Sequence, residues 1–219
     1  MILLQAPFLN LQALLDGVMV GSIFALVAYG MALVWGVMNI INVAQGEYVI
    51  LGGYITFGIY KLGVSPIYGM PFSFLFLFIL GYILYRLIVF RVVDKDMFIS
   101  ILATFGISIM IQQFMNMFFG SQVETALTGL GTIFFFDGNI TIALVKVFSF
   151  VISILGAIAV IYFMRVSKLG RAIRATAQNP RAARILGVDT EKVYAYTYAI
   201  NAGLCGLAGS LVAMTYTLH

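Results

Sequence analysis

Five long intervals of the chain carry no charge: residues 17–46, 62–85, 97–123, 147–164 and 193–219. A helix crosses the ~30 Å hydrocarbon core of a bilayer with about 20 apolar residues. The interval 147–164 reaches that length, back to about Thr141, if Lys146 extends its ammonium group towards the interface. A shorter apolar piece, 48–60, lies between Glu47 and Lys61. The apolar residues run continuously and do not alternate, so helices are predicted here, not the strands of a closed barrel. The expected spans are 14–37, 45–60, 70–90, 97–119, 141–164 and 193–218. Together they make an all-α polytopic membrane protein of about six transmembrane helices, one domain over residues 1–219. The second span is short, begins with polar residues and contains Gly52 and Gly53. It reads either as a full span or as a re-entrant half-helix facing protein or water.

Composition agrees: 63% of residues are hydrophobic and 9% charged, which excludes an ordinary soluble domain. The net charge of +4 says less than its placement. Between Arg165 and Lys192 lie seven basic residues (Arg165, Lys168, Arg171, Arg174, Arg181, Arg184, Lys192) and two acidic ones (Asp189, Glu191), so this interval is +5 and the rest of the chain −1. Lys and Arg mark cytoplasmic loops, which puts 165–192 inside. The loop 121–139, with Glu124 and Asp137 and no Lys or Arg, is then outside, and Arg86, Arg91 and Lys95 are inside. The parity places the N-terminus outside.

Small residues recur at every fourth position of the first span, Gly17, Gly21 and Ala25 on one face and Ala28, Ala32 and Gly36 on another. The last span repeats this with Ala195, Ala199 and Gly203, and with Ala202, Gly206 and Ser210. Such faces let helices approach closely, within this chain or against a second subunit. The cluster Asn39, Asn42, Gln45 and Glu47 sits between two apolar intervals. Glu47 either stands at the positive end of the following helix or, with its neighbours, lines or gates a path through the membrane. Gln112, Gln113 and Asn116 near the external end of the fourth span, and Asn201 in the last, suit interhelical hydrogen bonds or pore lining.

The basic loop carries helix signals. Asn179 suits an N-cap, Pro180 the first helical position and Gly187 the left-handed residue after the last turn, which predicts about two turns. Upstream, 167–178 has Leu169, Ala172, Ile173 and Thr176 on one side and Arg171, Arg174 and Gln178 on another, as in an amphipathic helix at a membrane surface. A two-turn helix is marginal alone. The loop therefore either sets topology by charge or presents a rigid helix to a cytoplasmic partner.

Two motifs carry a resemblance. The run 170–179 followed by Ala182-Ala183-Arg184-Ile185-Leu186-Gly187-Val188 resembles the cytoplasmic loop of permease subunits of branched-chain amino acid ABC importers, the LivH type. Asn39-Ile40-Ile41-Asn42-Val43-Ala44-Gln45-Gly46-Glu47 is similar to that family's N-x-A-x-G-E segment, in which His is common where Gln45 stands here. The resemblance implies coupling to an ATPase through 165–192, with Arg171, Arg174, Asn179, Pro180, Arg181, Ala182, Ala183 and Gly187. Arg181 replaces the Glu of the wider motif, so the docking role passes to Ala182, Ala183 and Gly187 without a carboxylate contact. It favours the path reading for Asn39, Asn42, Gln45 and Glu47, and further spans after His219.

By implication the chain is the permease of an importer for branched-chain or other hydrophobic amino acids. Its partners are cytoplasmic ABC ATPase subunits, a second permease subunit (identical or homologous), an external binding protein and the lipid bilayer. It sits in a bacterial or archaeal plasma (inner) membrane. Related permeases serve urea or short amides, and a stand-alone transporter, a channel or a scaffold subunit are further readings. No Gly precedes a Lys, so there is no P-loop, and ATP is expected on partner subunits, with no cofactor in this chain. With one Cys (Cys205) and one His (His219), no metal centre or nucleophilic triad is expected, nor any nucleic acid.

Overall fold

A computed structural model describes residues 7–93, 95–120, 126, 128–135 and 140–216. Glu124, Asp137, His219 and the last residues of the sixth expected span lie outside the described residues. Five helices are long and apolar enough to cross a membrane. They are α1 (Pro7–Met38), α3 (Gly69–Leu87, extended at both ends by 3-10 turns), α4 (Met97–Phe119), α5 (Leu144–Val166) and α8 (Thr190–Thr215). Between them stand α2 (Gln45–Lys61), a hairpin of β1 (Thr132–Phe135) and β2 (Ile140–Ala143), α6 (Lys168–Gln178) and α7 (Pro180–Ile185).

Helix α8 is the centre. Its span is 89% buried, against 11% to 33% for the other four, and α3, α2 and α1 pack along it. Small residues on all its sides make this possible. A Cβ on Gly206 would lie 2.6 Å from the Ser73 carbonyl oxygen of α3, and one on Gly52 of α2 would lie 2.6 Å from Gly206 Cα. Three backbones therefore meet at Gly52, Ser73 and Gly206. Ser73 Oγ–H sits 2.7 Å from the Gly52 carbonyl and 3.2 Å from that of Gly206. Thr56 Oγ–H donates to Ser210 Oγ at 2.7 Å, and Ser210 donates to the Gly206 carbonyl at 2.9 Å. Ala199 is fully buried, and the Phe74 ring lies 3.0 Å from a Cβ placed on Gly203.

The small faces of α1 have the opposite environment. A Cβ on Gly17, Gly21 or Gly36 would meet nothing within 4 Å, and Ala25, Ala28 and Ala32 are exposed. Gly17 and Gly21 thus face open space among the described residues. Ile23, Leu26, Gly30 and Val34 form the buried side instead.

Helix α2 is continuous through Gly52 and Gly53, which serve as contact points, not as a break. At 17 residues it is about 26 Å long, and the five long spans exclude it. The fifth expected span begins late, because Thr141 to Ala143 are taken by β2, paired antiparallel with β1. The side-chain amide of Gln12 acts as a further peptide on that strand. Its Nε2 donates to Thr141 O at 2.8 Å, and Thr141 N donates to its Oε1 at 3.0 Å. Lys146, expected to reach for the interface, pairs with Asp16 of α1 at 2.7 Å.

Candidate functional site: a buried amide cluster and a capped basic loop

Helix α1 stops where Asn39 enters the left-handed region, φ 53°, its N–H donating to Trp35 O at 2.9 Å. Asn tolerates that conformation better than most residues. Its side chain is exposed. The connection 40–44 then runs without helix at membrane depth, since it meets α4 at Thr104, about 10 Å along that helix from Met97. Backbone groups there need partners, and Thr104 supplies them. Its Oγ accepts from Val43 N at 3.2 Å and donates to Ile41 O at 3.1 Å.

The turn sets Asn42 and Gln45, both buried, against Asn201 of α8, about 16 Å along that helix from Thr190. Gln45 and Asn201 exchange two hydrogen bonds, Gln45 Nε2 to Asn201 Oδ1 at 3.0 Å and Asn201 Nδ2 to Gln45 Oε1 at 2.9 Å. The second Gln45 amide proton reaches Val27 O of α1 at 3.1 Å. Tyr198 O–H donates to Asn42 Oδ1 at 3.2 Å, and the Tyr48 hydroxyl lies 2.9 Å from that of Tyr198. Gly30 makes room for the cluster, since a Cβ there would lie 2.6 Å from Asn201 Oδ1. Every member is an amide or a phenol, so the cluster joins α1, α2 and α8 without placing a charge in the membrane.

The four candidate path residues therefore divide. Asn42 and Gln45 belong to the buried cluster, while Asn39 is exposed and Glu47 half-buried, with Ser108 Oγ donating to Glu47 Oε1 at 3.3 Å. Gln112, Gln113 and Asn116 are all exposed on α4, whereas Asn201 is fully buried. Tyr48 and Tyr198 complete the cluster and were absent from the sequence candidates. Nothing in their spacing, 150 residues apart, marks them as partners.

At the basic end, α5 turns into α6 around Gly170, where a Cβ would overlap the backbone of Met164. Ser167 Oγ caps α6 by accepting from Gly170 N at 2.7 Å, and Arg171 closes α5 by donating to Val166 O at 2.8 Å. Ile173 and Thr176 are buried under α6, and Arg174 is exposed. Asn179 Oδ1 accepts from Ala182 N at 3.0 Å, with Pro180 at the first helical position. At the other end Gly187 takes φ 84°. Its N–H donates to Arg184 O at 3.0 Å, and Val188 N donates to Ala183 O at 2.9 Å. This paired closure of a helix C-terminus needs a left-handed residue at Gly187.

Arg181 and Ala182 are exposed, but Ala183 is buried at 2% and seats α7 on its own chain. Arg184 Nε donates to Thr190 Oγ at 2.6 Å, tying α7 to the start of α8. There Asp189 caps α8, and the backbone amide and then the ammonium group of Lys192 hold its carboxyl below the usual carboxylate range. The groups offered outward are Ile185 and Leu186, 86% and 82% exposed. Their signal in the sequence is two consecutive apolar residues inside the one strongly basic loop. Among the described residues no cluster of His, Cys, Asp or Glu could hold a metal ion.

The profile of the family described as "Branched-chain amino acid transport system / permease component" matches residues 13–219. The chain is similar to the high-affinity branched-chain amino acid transport system permease protein LivH of Salmonella typhimurium, 28% identical over 222 residues, which cover 94% of this chain and 71% of that protein. It is similar to BraD of Pseudomonas aeruginosa, 29% identical over 219 residues with the same coverage. It also resembles a probable LivH of the archaeon Methanocaldococcus jannaschii, 27% identical over 224 residues, 97% of this chain and 69% of the relative. No solved structure matches.

Proposed function

Because the chain belongs to the family of branched-chain amino acid transport permease components, we propose that it passes branched-chain or other hydrophobic amino acids across a bacterial or archaeal inner membrane. As the membrane-spanning subunit of an ABC importer, it takes substrate from an external binding protein. ATP is hydrolysed on separate cytoplasmic subunits, and a second permease copy or homologue completes the path. Asn39 and Glu47 stand at that path, and the cluster of Asn42, Gln45 and Asn201 holds the turn that carries them.

The observation that carries coupling is α7. It is closed at both ends, tied to the first turn of α8, and leaves two large apolar side chains exposed. Charge alone would have set topology without any of this. An apolar pair beside Arg181 suits a partly apolar cleft of an ATPase subunit.

The test reconstitutes the permease with its ATPase subunits and binding protein. Ile185→Asp with Leu186→Asp is expected to leave the permease folded, to abolish co-purification of the ATPase and to stop uptake. Normal uptake in that variant would sink the coupling role. Uptake by wild-type permease alone would instead make it a stand-alone transporter. Glu47→Gln is expected to lower uptake per molecule at unchanged abundance, and an unchanged rate would remove Glu47 from the path.

A further inference from the structure

Helices α3 and α5 both lean on α8 and leave an open groove of about 460 Å³ between them. Phe74 and Phe78 form one wall, Ala159 and Phe163 the other, and Leu204 the floor. Its length along α8, from Tyr196 to Leu207, is about 16 Å, close to one leaflet of a ~30 Å hydrocarbon core. Its mouth, beside Tyr196 and Leu169, is at the basic end.

The mouth is polar and positive. The Tyr82 ring lies 5.4 Å from that of Tyr196. Arg86 stands over Tyr82, 5.7 Å from its centroid, and donates to its hydroxyl at 3.4 Å. On the other bank Lys168 adjoins Leu169, and Arg165 stands in the last turn of α5. All three cations are exposed. Asp189 and Glu191 act on Arg86 from the start of α8, but Asp189 is taken up by Lys192 at 3.0 Å, so the rim keeps a positive excess. Tyrosines at headgroup level with cations just beyond them are how a membrane protein meets an anionic leaflet.

We propose that this groove holds an acyl chain of an anionic phospholipid of the cytoplasmic leaflet, with the lipid phosphate between Arg86 and the Arg165–Lys168 bank. The inference rests on the orientation given above, and neither the transported substrate nor the coupling role of α7 enters it.

The experiment uses the full permease assembled with its ATPase subunits, delipidated and titrated with spin-labelled phosphatidylglycerol or phosphatidylcholine, without substrate or ATP. Wild type is expected to immobilise phosphatidylglycerol in preference to phosphatidylcholine by about 30- to 100-fold, the order that two or three basic groups provide at a charged headgroup. Arg86→Gln with Arg165→Gln and Lys168→Gln should abolish that preference. Ala159→Trp, which fills the groove, should remove the immobilised lipid altogether. Co-purification of the ATPase and an unchanged melting temperature report that each variant is folded. Equal retention of the two lipids by wild type, or unchanged retention in folded Ala159→Trp, would overturn the proposal. The second result would place the immobilised lipid elsewhere on the complex and leave the groove to a neighbouring subunit. Loss of uptake with lipid retention intact would count against the transport reading alone.

Discussion

Gln45 and Asn201, 156 residues apart in the chain, face each other amide to amide, each donating to the other at about 3 Å. With both buried, removing one side leaves the other with unmet polar atoms in an apolar surround, which costs about 1–3 kcal/mol. Asn201→Leu or Gln45→Leu should therefore lower the melting temperature of the purified permease. The double variant should lose less than the sum, because neither orphan remains. Additive losses would show that the pair is not coupled.

The small-residue faces of α1 and α8 share a spacing and differ in consequence. Gly206→Val puts a branched side chain where a single Cβ already lies 2.6 Å from Ser73 O. The Ser73 backbone cannot turn aside as a side chain would, so the cost exceeds the about 1–3 kcal/mol of ordinary overpacking. Folded yield in detergent should collapse. Gly17→Val meets open space and should leave the monomer's yield and melting temperature unchanged.

Two changes loosen α7 without touching its exposed side chains. Asn179→Ala removes the cap bond to Ala182 N and costs about 1 kcal/mol. Gly187→Ala strains a left-handed residue by about 1 kcal/mol. Hydrogen exchange at the amides of Leu186 to Val188 should quicken in both variants while the amides of α8 stay protected. Unchanged exchange would mean that α7 is held by packing at Ala183 and not by its caps.

Asp16 and Lys146 join α1 to α5 at 2.7 Å with side chains 34% and 24% exposed. Such a half-open pair is worth about 1 kcal/mol or less. Asp16→Asn should produce a small loss of melting temperature that shrinks in high salt. A loss that ignores salt would assign the effect to the Gln12 hydrogen bonds nearby.

The spans could be read from the charge gaps because lipid punishes charge wherever it falls, independent of which helix stands next to which. The two-turn α7 could be read because Asn179, Pro180 and Gly187 act on their own backbone within a few residues. What escaped the sequence depends on neighbours. Periodicity marks Gly17 and Gly206 alike, and only the packing order, with α8 in the middle and one side of α1 open, separates them. Thr141 to Ala143 are apolar enough to pass for the start of a span until β1 claims them. The partnership of Tyr48 and Tyr198 has no local signature at all. Of the four candidate path residues, nothing local predicted that Asn42 and Gln45 would turn inward while Asn39 and Glu47 stayed accessible.

The Arg184–Thr190 hydrogen bond ties α7 to the start of α8, and Ala183 is buried beneath it. In the proposed coupling, a push on Ile185 and Leu186 would enter the first turn of α8, the most enclosed of the five long helices, and that helix would serve as a piston rod. About 16 Å along it, such a stroke would reach Asn201, whose clasp on Gln45 also holds the entry to α2.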